Sequence, residues 1–468
     1  ERLPPRRCHH LAAHQALGHL PNYGQDVSEP TKPSDAADID SPGPRRTVVM
    51  LTIAAVIAAA AIGFIGGAFR WCLVKAAELR VDLADWAHQW PAVGWLIPVA
   101  LAAAGAIIGR SIVRFSPRSS GSGIQDVEAV WRGEKELPGA DVIPAKFAGG
   151  LASIGTGMVL GREGPTVHMG SALGSEAGRL LGLSIGDRKL LYTTVGGAGL
   201  AVAFNAPIGG AMFAIEEVTK SFKLRIVLVT LISTSVAVAC SRLILGDKPD
   251  FTVPAIATPS ITALWVFVIF GLLTGALGVA YNAVVMFLLN RTDRMTRVSP
   301  TTRAGVIGGV IGLLLWIDPL LVGGGDALTQ LIMNGQTFAL WSLLGYLALR
   351  FLVGPLSYAA GTPGGLFAPL LALGALWGAL FQGVAGPVLG EVGTSALPLA
   401  VVGMTAFFAA TVRAPITGII LIIEMTAITT LTVPMLAACA AAVLAAALLR
   451  GAPIYDSLRH RMLANRAA

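Results

Sequence analysis

The stretch GMVLGREGPTVHMG, residues 157–170, places an arginine and a glutamate among glycines inside a strongly apolar surround. Gly161, Gly164 and Pro165 predict a break and then a helix start near Glu163, because glycine tolerates tight turns and proline is favoured in the first helical turn. The first N–H groups of a helix lack intrahelical partners and attract negative charge. The stretch therefore predicts an anion site, which the Glu163 carboxylate either fills or leaves.

Taken alone, the stretch has a simpler interpretation. Glu163 could cap its own helix, and Arg162 could extend along its aliphatic stem to water. For a soluble protein with the same GREGP sequence, that interpretation would be preferred. The rest of the chain has to decide between the two.

A second copy of the pattern lies later in the chain. Residues 161–174 align with residues 365–378, and residues 206–217 align with residues 414–425 after a slip of four positions. Paired, glycine-broken apolar segments in two halves of a chain indicate a transporter site built from interrupted helices. The matched pairs are Gly161/Gly365, Pro165/Pro369, Gly170/Gly374, Gly174/Gly378, Ala206/Ala414, Pro207/Pro415, Ile208/Ile416, Gly210/Gly418, Ile215/Ile423 and Glu216/Glu424.

The two copies differ in their charged positions. Arg162 and Glu163 of the first copy correspond to Leu366 and Phe367 of the second. We therefore expect one half to supply a titratable gate and the other to supply a bare helix terminus.

Several motifs occur together in a fixed order along the chain, namely GSGIQ (121–125), GREGP (161–165), FNAPIGGAMFAIEE (204–217), GGLFAP (364–369) and the late Tyr455. In this order and rough spacing they resemble the CLC family of chloride channels and proton-coupled chloride transporters, and the resemblance extends over about residues 47–460. It implies an all-α integral membrane fold of two inverted-repeat halves with tilted and broken helices. It also implies a homodimer in which each subunit has its own anion pathway.

The composition agrees with a protein of the lipid bilayer. Of the 468 residues, 54% are hydrophobic and 13% are charged, and the mean hydropathy is +0.70. The formal charge of +7 does not indicate nucleic acid, because the basic residues cluster at the ends of apolar segments. We expect no cofactor, since neither a disulfide framework nor metal-ligand spacing is present among Cys8, Cys72, Cys240 and Cys439.

The domain boundaries follow the composition. Residues 1–46 are polar and without a sustained period, which predicts a disordered cytoplasmic tail. Residues 47–460 form the predicted transmembrane domain, with a first half at about 47–245 and a second at about 260–450, and residues 461–468 form a C-terminal tail. In the N-terminal tail, Cys8, His9, His10 and His14 are a weak candidate for a metal site.

Basic residues predict the orientation in the membrane. Arg45 and Arg46 precede the first long apolar run and the C-terminal segment is also basic, so both termini are expected in the cytoplasm of a bacterial inner membrane. We expect the arginine-rich loop Asn290–Arg303 to join the halves on that side. The chain after Gly451 is too short for the paired cytosolic nucleotide-binding modules of some family members. Several apolar segments fall short of a full span, which favours tilted or re-entrant pieces.

Ser122 and Tyr455 are the candidate inner ligands of the anion. By local sequence each has a simpler interpretation, Ser122 as a turn or N-cap serine and Tyr455 as a tyrosine of the membrane interface. The resemblance implies that both hydroxyls coordinate chloride and that Ser122 favours chloride over nitrate. Gln125 replaces the usual proline of GSGIP. Backbone N–H groups at the two helix starts would complete the site, at Gly164, Leu366 and Phe367.

Glu216 and Glu217 end an apolar run, where paired carboxylates form either a solvated helix end or a point of proton transfer. Glu216 has a counterpart in Glu424, which indicates a structural role common to both halves. Glu217 faces Met425 and is particular to the first half. The resemblance implies that Glu217 is the internal proton acceptor of an exchanger.

The favoured function is therefore exchange of chloride for protons, with Glu163 as the movable gate. A passive chloride channel of the same family is the alternative. A fluoride exporter agrees less well, because Ser122 and Pro165 follow the chloride pattern. An enzyme is disfavoured, since the sequence lacks HExxH, GxSxG and paired intramembrane aspartates.

Overall fold

Helices account for nearly all of the regular structure. A computed structural model describes residues 45–467, and within this range there are seventeen α-helices and no strand. The predicted tail and its Cys8, His9, His10 and His14 cluster lie almost entirely outside the described residues. The fold class predicted from the sequence is confirmed.

The first eight helices form the first half. They are α1 (Arg45–Ala87), α2 (Leu96–Phe115), α3 (Ile124–Trp131), α4 (Val142–Gly155), α5 (Glu163–Leu180), α6 (Ile185–Phe204), α7 (Pro207–Met212) and α8 (Leu224–Leu245). A π-helical turn at Phe213–Thr219 continues α7.

The second half repeats this series. Its helices are α9 (Leu264–Asp293), α10 (Pro300–Ile317), α11 (Asp326–Met333), α12 (Leu340–Ala359), α13 (Phe367–Ala385), α14 (Leu397–Val412), α15 (Pro415–Thr426) and α16 (Thr432–Leu448). A last helix, α17 (Ile454–Ala467), follows. The predicted helix start at Glu163 is confirmed, and α13 starts at the aligned Phe367.

The contacts between helices follow the repeat. In the first half α1 packs on α8 and α5 on α6, and the second half repeats these contacts with α9 on α16 and α13 on α14. Between the halves, α2 packs on its counterpart α10, and α7 packs on its counterpart α15. Corresponding helices thus meet each other, as expected when a pseudo-two-fold axis relates two inverted halves.

The structure corrects two details of the sequence analysis. The halves join through residues 246–263, so the loop at Asn290–Arg303 lies within the second half, between α9 and α10. Residues 461–467 were expected to form a tail, but they continue α17. Arg461 holds this part of the helix against the end of α9 by an ion pair with Asp293.

Seven helices in the range 45–467 are long and apolar enough to cross a membrane. Four other apolar helices have 10–17 residues, which agrees with the expectation of short or tilted segments. One of the short helices, α4, packs against α5, which begins in the first glycine break. The apolar surround therefore buries the charged residues of that break inside protein, where irregular backbone is tolerated.

Candidate functional site

The two glycine breaks meet each other at the interface of the halves. Gly161 N donates to Gly365 O and Gly365 N donates to Gly161 O, both at 2.8 Å. This reciprocal pair satisfies the backbone where α5 and α13 begin. It also brings the two helix N-termini, with their positive ends, to one buried position.

The Glu163 side chain spans from one half to the other. Its carboxylate is fully buried, and Oε1 accepts hydrogen bonds from Phe367 N at 2.8 Å and Ala368 N at 3.2 Å. Oε2 has no hydrogen-bond partner among the described residues. The carboxylate therefore occupies the N–H groups at the start of α13, which are donors that an anion could use. Capping of its own helix alone does not describe this position.

Ser122 lies beside the start of α5. Its hydroxyl is fully buried and has no partner in the described part of the chain. A Cβ added to Gly164 would lie 2.5 Å from Ser122 Oγ, so the absence of a side chain at Gly164 lets the two turns touch. Gly123, at φ +97°, then opens α3. A buried hydroxyl without a partner, next to two converging helix starts, is a donor that an anion could use.

A buried lysine that the sequence analysis missed holds the Ser122 turn. Lys146 of α4 is fully buried, and its ammonium donates to Gly121 O at 2.7 Å and to Ser122 O at 2.9 Å. From the other side, Ser122 N donates to the Tyr358 hydroxyl at 3.3 Å. These contacts fix the carbonyls of the turn away from the serine hydroxyl.

The second half contains the same device with a different cation. Arg350 of α12 is almost fully buried and donates to Val322 O at 2.9 Å, Gly323 O at 3.2 Å and Leu320 O at 3.0 Å. These carbonyls precede α11 as those of Gly121 and Ser122 precede α3. An aligned signal was present in the sequence, since Lys146 and Arg350 are separated by the same 204 positions as Gly161 and Gly365.

Tyr455 stands at the start of α17. It is fully buried, and its hydroxyl has no partner among the described residues. A tyrosine of the membrane interface would expose its hydroxyl to headgroups, so this burial argues against that interpretation. The hydroxyl interacts electrostatically with both Glu163 and Glu217.

Glu217 and Glu216 are adjacent in sequence but have different surroundings. Glu217 is 3% exposed, lies in the π-helical turn and interacts with Glu128 of α3, a buried acid that the sequence analysis did not single out. Arg459 is close by, with its Nε 3.8 Å from Glu128 Oε2. This pair of buried acids lies toward α17.

Glu216 instead caps a helix of the other half. Its carboxylate accepts from Ile416 N at 3.1 Å and from Thr417 N at 2.6 Å, at the start of α15. Glu424 repeats this contact in reverse and accepts from Ile208 N at 3.1 Å and Gly209 N at 2.7 Å, at the start of α7. The shared structural role inferred from the repeat has this physical basis.

Arg162, next to the gate, is bound to carboxylates. Its Nη2 lies 3.0 Å from Asp250 Oδ2, its Nη1 lies 3.4 Å from Asp326 Oδ2, and its Nε donates to Ala203 O at 3.0 Å. Asp250 belongs to the segment between the halves and also pairs with Arg70. The guanidinium is only 12% exposed, so it does not simply extend to water. Asp250 carried no signal in the sequence, because its partners are distant along the chain.

Two inverted halves with buried, charged helix breaks at their interface define a membrane protein that transports small anions. The comparisons place it more closely. The family model described as voltage gated chloride channel matches residues 104–447. The chain belongs to this family, the CLC family, and is an integral multi-pass membrane protein. The family is one of transporters and channels rather than enzymes.

The relatives include bacterial exchangers. The H(+)/Cl(-) exchange transporter ClcA of Vibrio parahaemolyticus is 37% identical over 431 residues, which are 89% of this chain and 90% of that protein. The protein of the same name from Vibrio cholerae is 40% identical over 378 residues, 79% of this chain and 81% of that protein.

The solved structures have the same architecture. A crystal structure of a slow cyanobacterial Cl-/H+ antiporter is 29% identical, with a TM-score of 0.85, and the match covers 92% of this chain and all of that one. A CLC-type fluoride/proton antiporter is 21% identical with a TM-score of 0.73, covering 88% of this chain and 98% of that one, and this likeness concerns the fold alone.

Proposed function

We propose that the protein exchanges chloride for protons across a membrane, with Glu163 as the movable gate and Glu217 as the internal proton acceptor. The position of the Glu163 carboxylate carries the proposal, because Phe367 N and Ala368 N donate to an atom that competes directly with an anion. The names of the bacterial relatives support exchange rather than passive flow.

The gate works by competition for one positive region. When ionised, the Glu163 carboxylate accepts hydrogen bonds from the N–H groups at the start of α13 and excludes chloride. When protonated it loses its charge and its hold on those donors, so it leaves and chloride takes its place. Chloride is then coordinated by N–H groups at the two helix starts, at Gly164, Leu366 and Phe367, and by the free hydroxyls of Ser122 and Tyr455.

The proton follows a separate route. Glu217 and Glu128 form a buried acid pair that is not part of the Ser122 turn, and Tyr455 interacts electrostatically with both Glu217 and Glu163. A proton that passes from Glu217 to Glu163 releases the gate on arrival. Because the same carboxylate binds the proton and competes with chloride, the two ions move in opposite directions.

The assembly and orientation are part of the proposal. We place both ends of the transmembrane domain in the cytoplasm of a bacterial inner membrane, supported by Arg45 and Arg46 at the start of α1 and by the basic residues of α17. We also propose a homodimer in the lipid bilayer with one pathway in each subunit, as the family resemblance implies.

The test of the gate uses purified protein in liposomes, with chloride and pH followed together. Glu163→Ala should retain chloride flux and abolish proton pumping driven by a chloride gradient. Glu176→Ala is the matched control, since Glu176 lies on the same helix but pairs with Arg179 at 2.6 Å near the surface. Pumping that persists in Glu163→Ala would reject the gate assignment.

The proton acceptor is tested separately. Glu217→Gln should uncouple proton movement while chloride still flows, because the amide cannot carry the proton. Unchanged coupling in this variant would transfer the role to Glu216. The reversal potential of the wild type under an imposed proton gradient distinguishes an exchanger from a passive channel, since a channel would follow the chloride gradient alone.

A further inference from the structure

A cavity of about 310 Å³ opens next to the Ser122 turn. We call it the vestibule. Gly121, Gly123 and Tyr358 are among its lining residues, so a molecule bound there lies beside the turn that contains Ser122. It does not include Glu217, and it is therefore separate from the buried acid pair.

The vestibule carries an excess of positive charge. Five basic and two acidic side chains line it, which leaves a formal excess of three positive charges. The acids are Asp126 and Asp293, and the bases are Arg110, Arg118, Lys135, Arg303 and Arg461. The five basic residues come from helices α2, α10 and α17 and from the segments on either side of α3, so these charges converge only in the folded protein.

The two acids already have partners. Asp126 pairs with Arg118, at 2.6 Å, and with Lys135. Asp293 forms a two-point contact with Arg461, whose Nη2 lies 2.6 Å from Oδ1 and whose Nε lies 3.0 Å from Oδ2. Each carboxylate therefore makes these contacts with other basic residues, and Asp293 in addition attracts Arg303 electrostatically.

Arg110 and Arg303 each donate a hydrogen bond to a backbone carbonyl. Arg110 Nη1 donates to Gly361 O at 3.1 Å, and Arg303 Nη1 donates to Thr292 O at 2.7 Å. Arg303 Nε is buried without a partner among residues 45–467. The two guanidinium groups repel each other electrostatically. An anion placed between them would relieve this repulsion and use their open donors.

Gln125 adds an acceptor to the same cavity. It stands where the family motif has proline, it is 9% exposed, and its Oε1 is buried with no partner in the described range. Chloride has no proton to offer this oxygen. A protonated oxyanion such as hydrogen phosphate has both the charge for the arginines and a hydroxyl for Gln125.

We propose that the vestibule binds a multivalent oxyanion of the phosphate class, held between Arg110 and Arg303 and hydrogen-bonded to Gln125. The planar guanidinium fork matches the oxygens of such an anion, and two fixed positive charges favour a dianion over chloride. A phosphate seated there blocks the Ser122 end of the pathway. The block rests on the proposed function, whereas the binding does not.

Binding is measured first, by equilibrium dialysis of the purified protein against labelled inorganic phosphate. We expect saturable binding to the wild type and at least tenfold weaker binding to Arg110→Gln and Arg303→Gln. Arg114→Gln should bind normally, because Arg114 lies one turn from Arg110 on α2 but contacts the Thr301 hydroxyl at 2.8 Å outside the cavity. Gln125→Leu should lower the affinity for phosphate to the affinity for sulfate, which has the charge for the arginines but no hydroxyl for Gln125.

Thermal unfolding in detergent at the wild-type temperature shows that each variant is folded. Arg303→Lys is a second variant that keeps the charge without the fork, and its affinity should be intermediate. Absence of phosphate binding to the wild type, or an equal loss in Arg114→Gln, would overturn the proposal. Lower chloride flux in the arginine variants without any phosphate binding would also overturn it, since the arginines would then only attract chloride.

Transport experiments then identify the source of the phosphate group. In planar bilayers of neutral lipid, phosphate added on one side should reduce the chloride current, and Arg303→Gln should remove this block. Block that needs anionic phospholipid and no free phosphate would assign the same arginines to a lipid headgroup. Binding without any block would confirm the site and overturn its place on the pathway.

Discussion

The glycine breaks at 161–165 and 365–369 have the same backbone and opposite chemistry. Gly161 and Gly365 form reciprocal backbone hydrogen bonds. A helix starts two residues after each glycine, at Glu163 in the first half and at Phe367 in the second. The first helix start supplies a carboxylate, and the second supplies the N–H groups that receive it. The comparison teaches that symmetry builds two anion-attracting helix ends, and that a single side-chain difference turns one into the gate of the other.

The same contrast recurs behind the breaks. Lys146 and Arg350 each satisfy the carbonyls of the turn in front of a short helix, but only the turn held by Lys146 presents a serine hydroxyl. Gly324 takes the corresponding place in the second half. The two cations should therefore be equal in structural importance and unequal in function.

The largest effect is expected from Lys146→Met and Arg350→Met. Each leaves buried carbonyls without donors, which should lower the free energy of unfolding by about 3 kcal/mol. Only Lys146→Met should also raise the apparent KM for chloride, about tenfold, because it loosens the Ser122 turn. Thermal unfolding in detergent and initial rates against chloride concentration measure the two quantities.

Lys75→Met serves as the control for this pair, since Lys75 is 51% exposed and pairs with Glu78 at the surface. It should leave both the unfolding and the chloride dependence unchanged. An equal rise in KM for Lys146→Met and Arg350→Met would break the functional asymmetry between the halves.

The sequence predicted those parts of the fold that depend on local chemistry. Glycine and proline marked the helix start at Glu163, and the aligned copy predicted a second helix start at Leu366 and Phe367. Glu216 and Glu424 matched as a pair before their contacts were known. Turns and helix starts are determined within a few residues, and the repeat is visible because each copy contains the same local pattern.

The contacts that cross the fold could not be predicted in this way. Lys146 and Arg350 each stand in an apolar run, where a basic residue could equally extend to the membrane surface. Asp250 meets Arg162 only after the segment between the halves has folded back, and Glu128 meets Glu217 across two elements. The error over the loop at Asn290–Arg303 has the same origin, since its charge indicates a side of the membrane but not its place in the repeat.

A smaller effect is expected from the reciprocal caps. Glu216→Gln and Glu424→Gln each weaken the N-terminus of a helix in the other half, which should lower the free energy of unfolding by about 1 kcal/mol. The effect of Glu216→Gln should be slightly larger, because Glu216 Oε2 also accepts from the Thr417 hydroxyl at 2.7 Å. Thermal unfolding is compared with proton coupling in the same preparations.

Proton coupling should survive both substitutions, in contrast to Glu217→Gln. This outcome would separate the helix caps, which are common to both halves, from the proton acceptor, which only the first half has. Loss of coupling in Glu216→Gln alone would show that the cap also carries protons and would end its assignment as a purely structural pair.

An effect no larger than that of the caps tests the contact between the two breaks directly. In Gly365→Ala the added Cβ would lie 2.7 Å from Glu163 Oε1 and 3.2 Å from Gly164 N, so the carboxylate must shift away from the start of α13. The backbone at Gly365 lies outside the left-handed region, so alanine adds crowding without backbone strain. Such crowding costs about 1 kcal/mol, equivalent to about a fivefold shift of the gate toward its displaced position.

Protons pumped per chloride in liposomes should fall, because chloride passes a gate that is open more often. Gly345→Ala is the matched control, since its Cβ meets nothing within 4 Å. If both variants pumped as well as the wild type, the carboxylate would not need the helix start that the second half offers, and the asymmetry of the breaks would have no part in coupling.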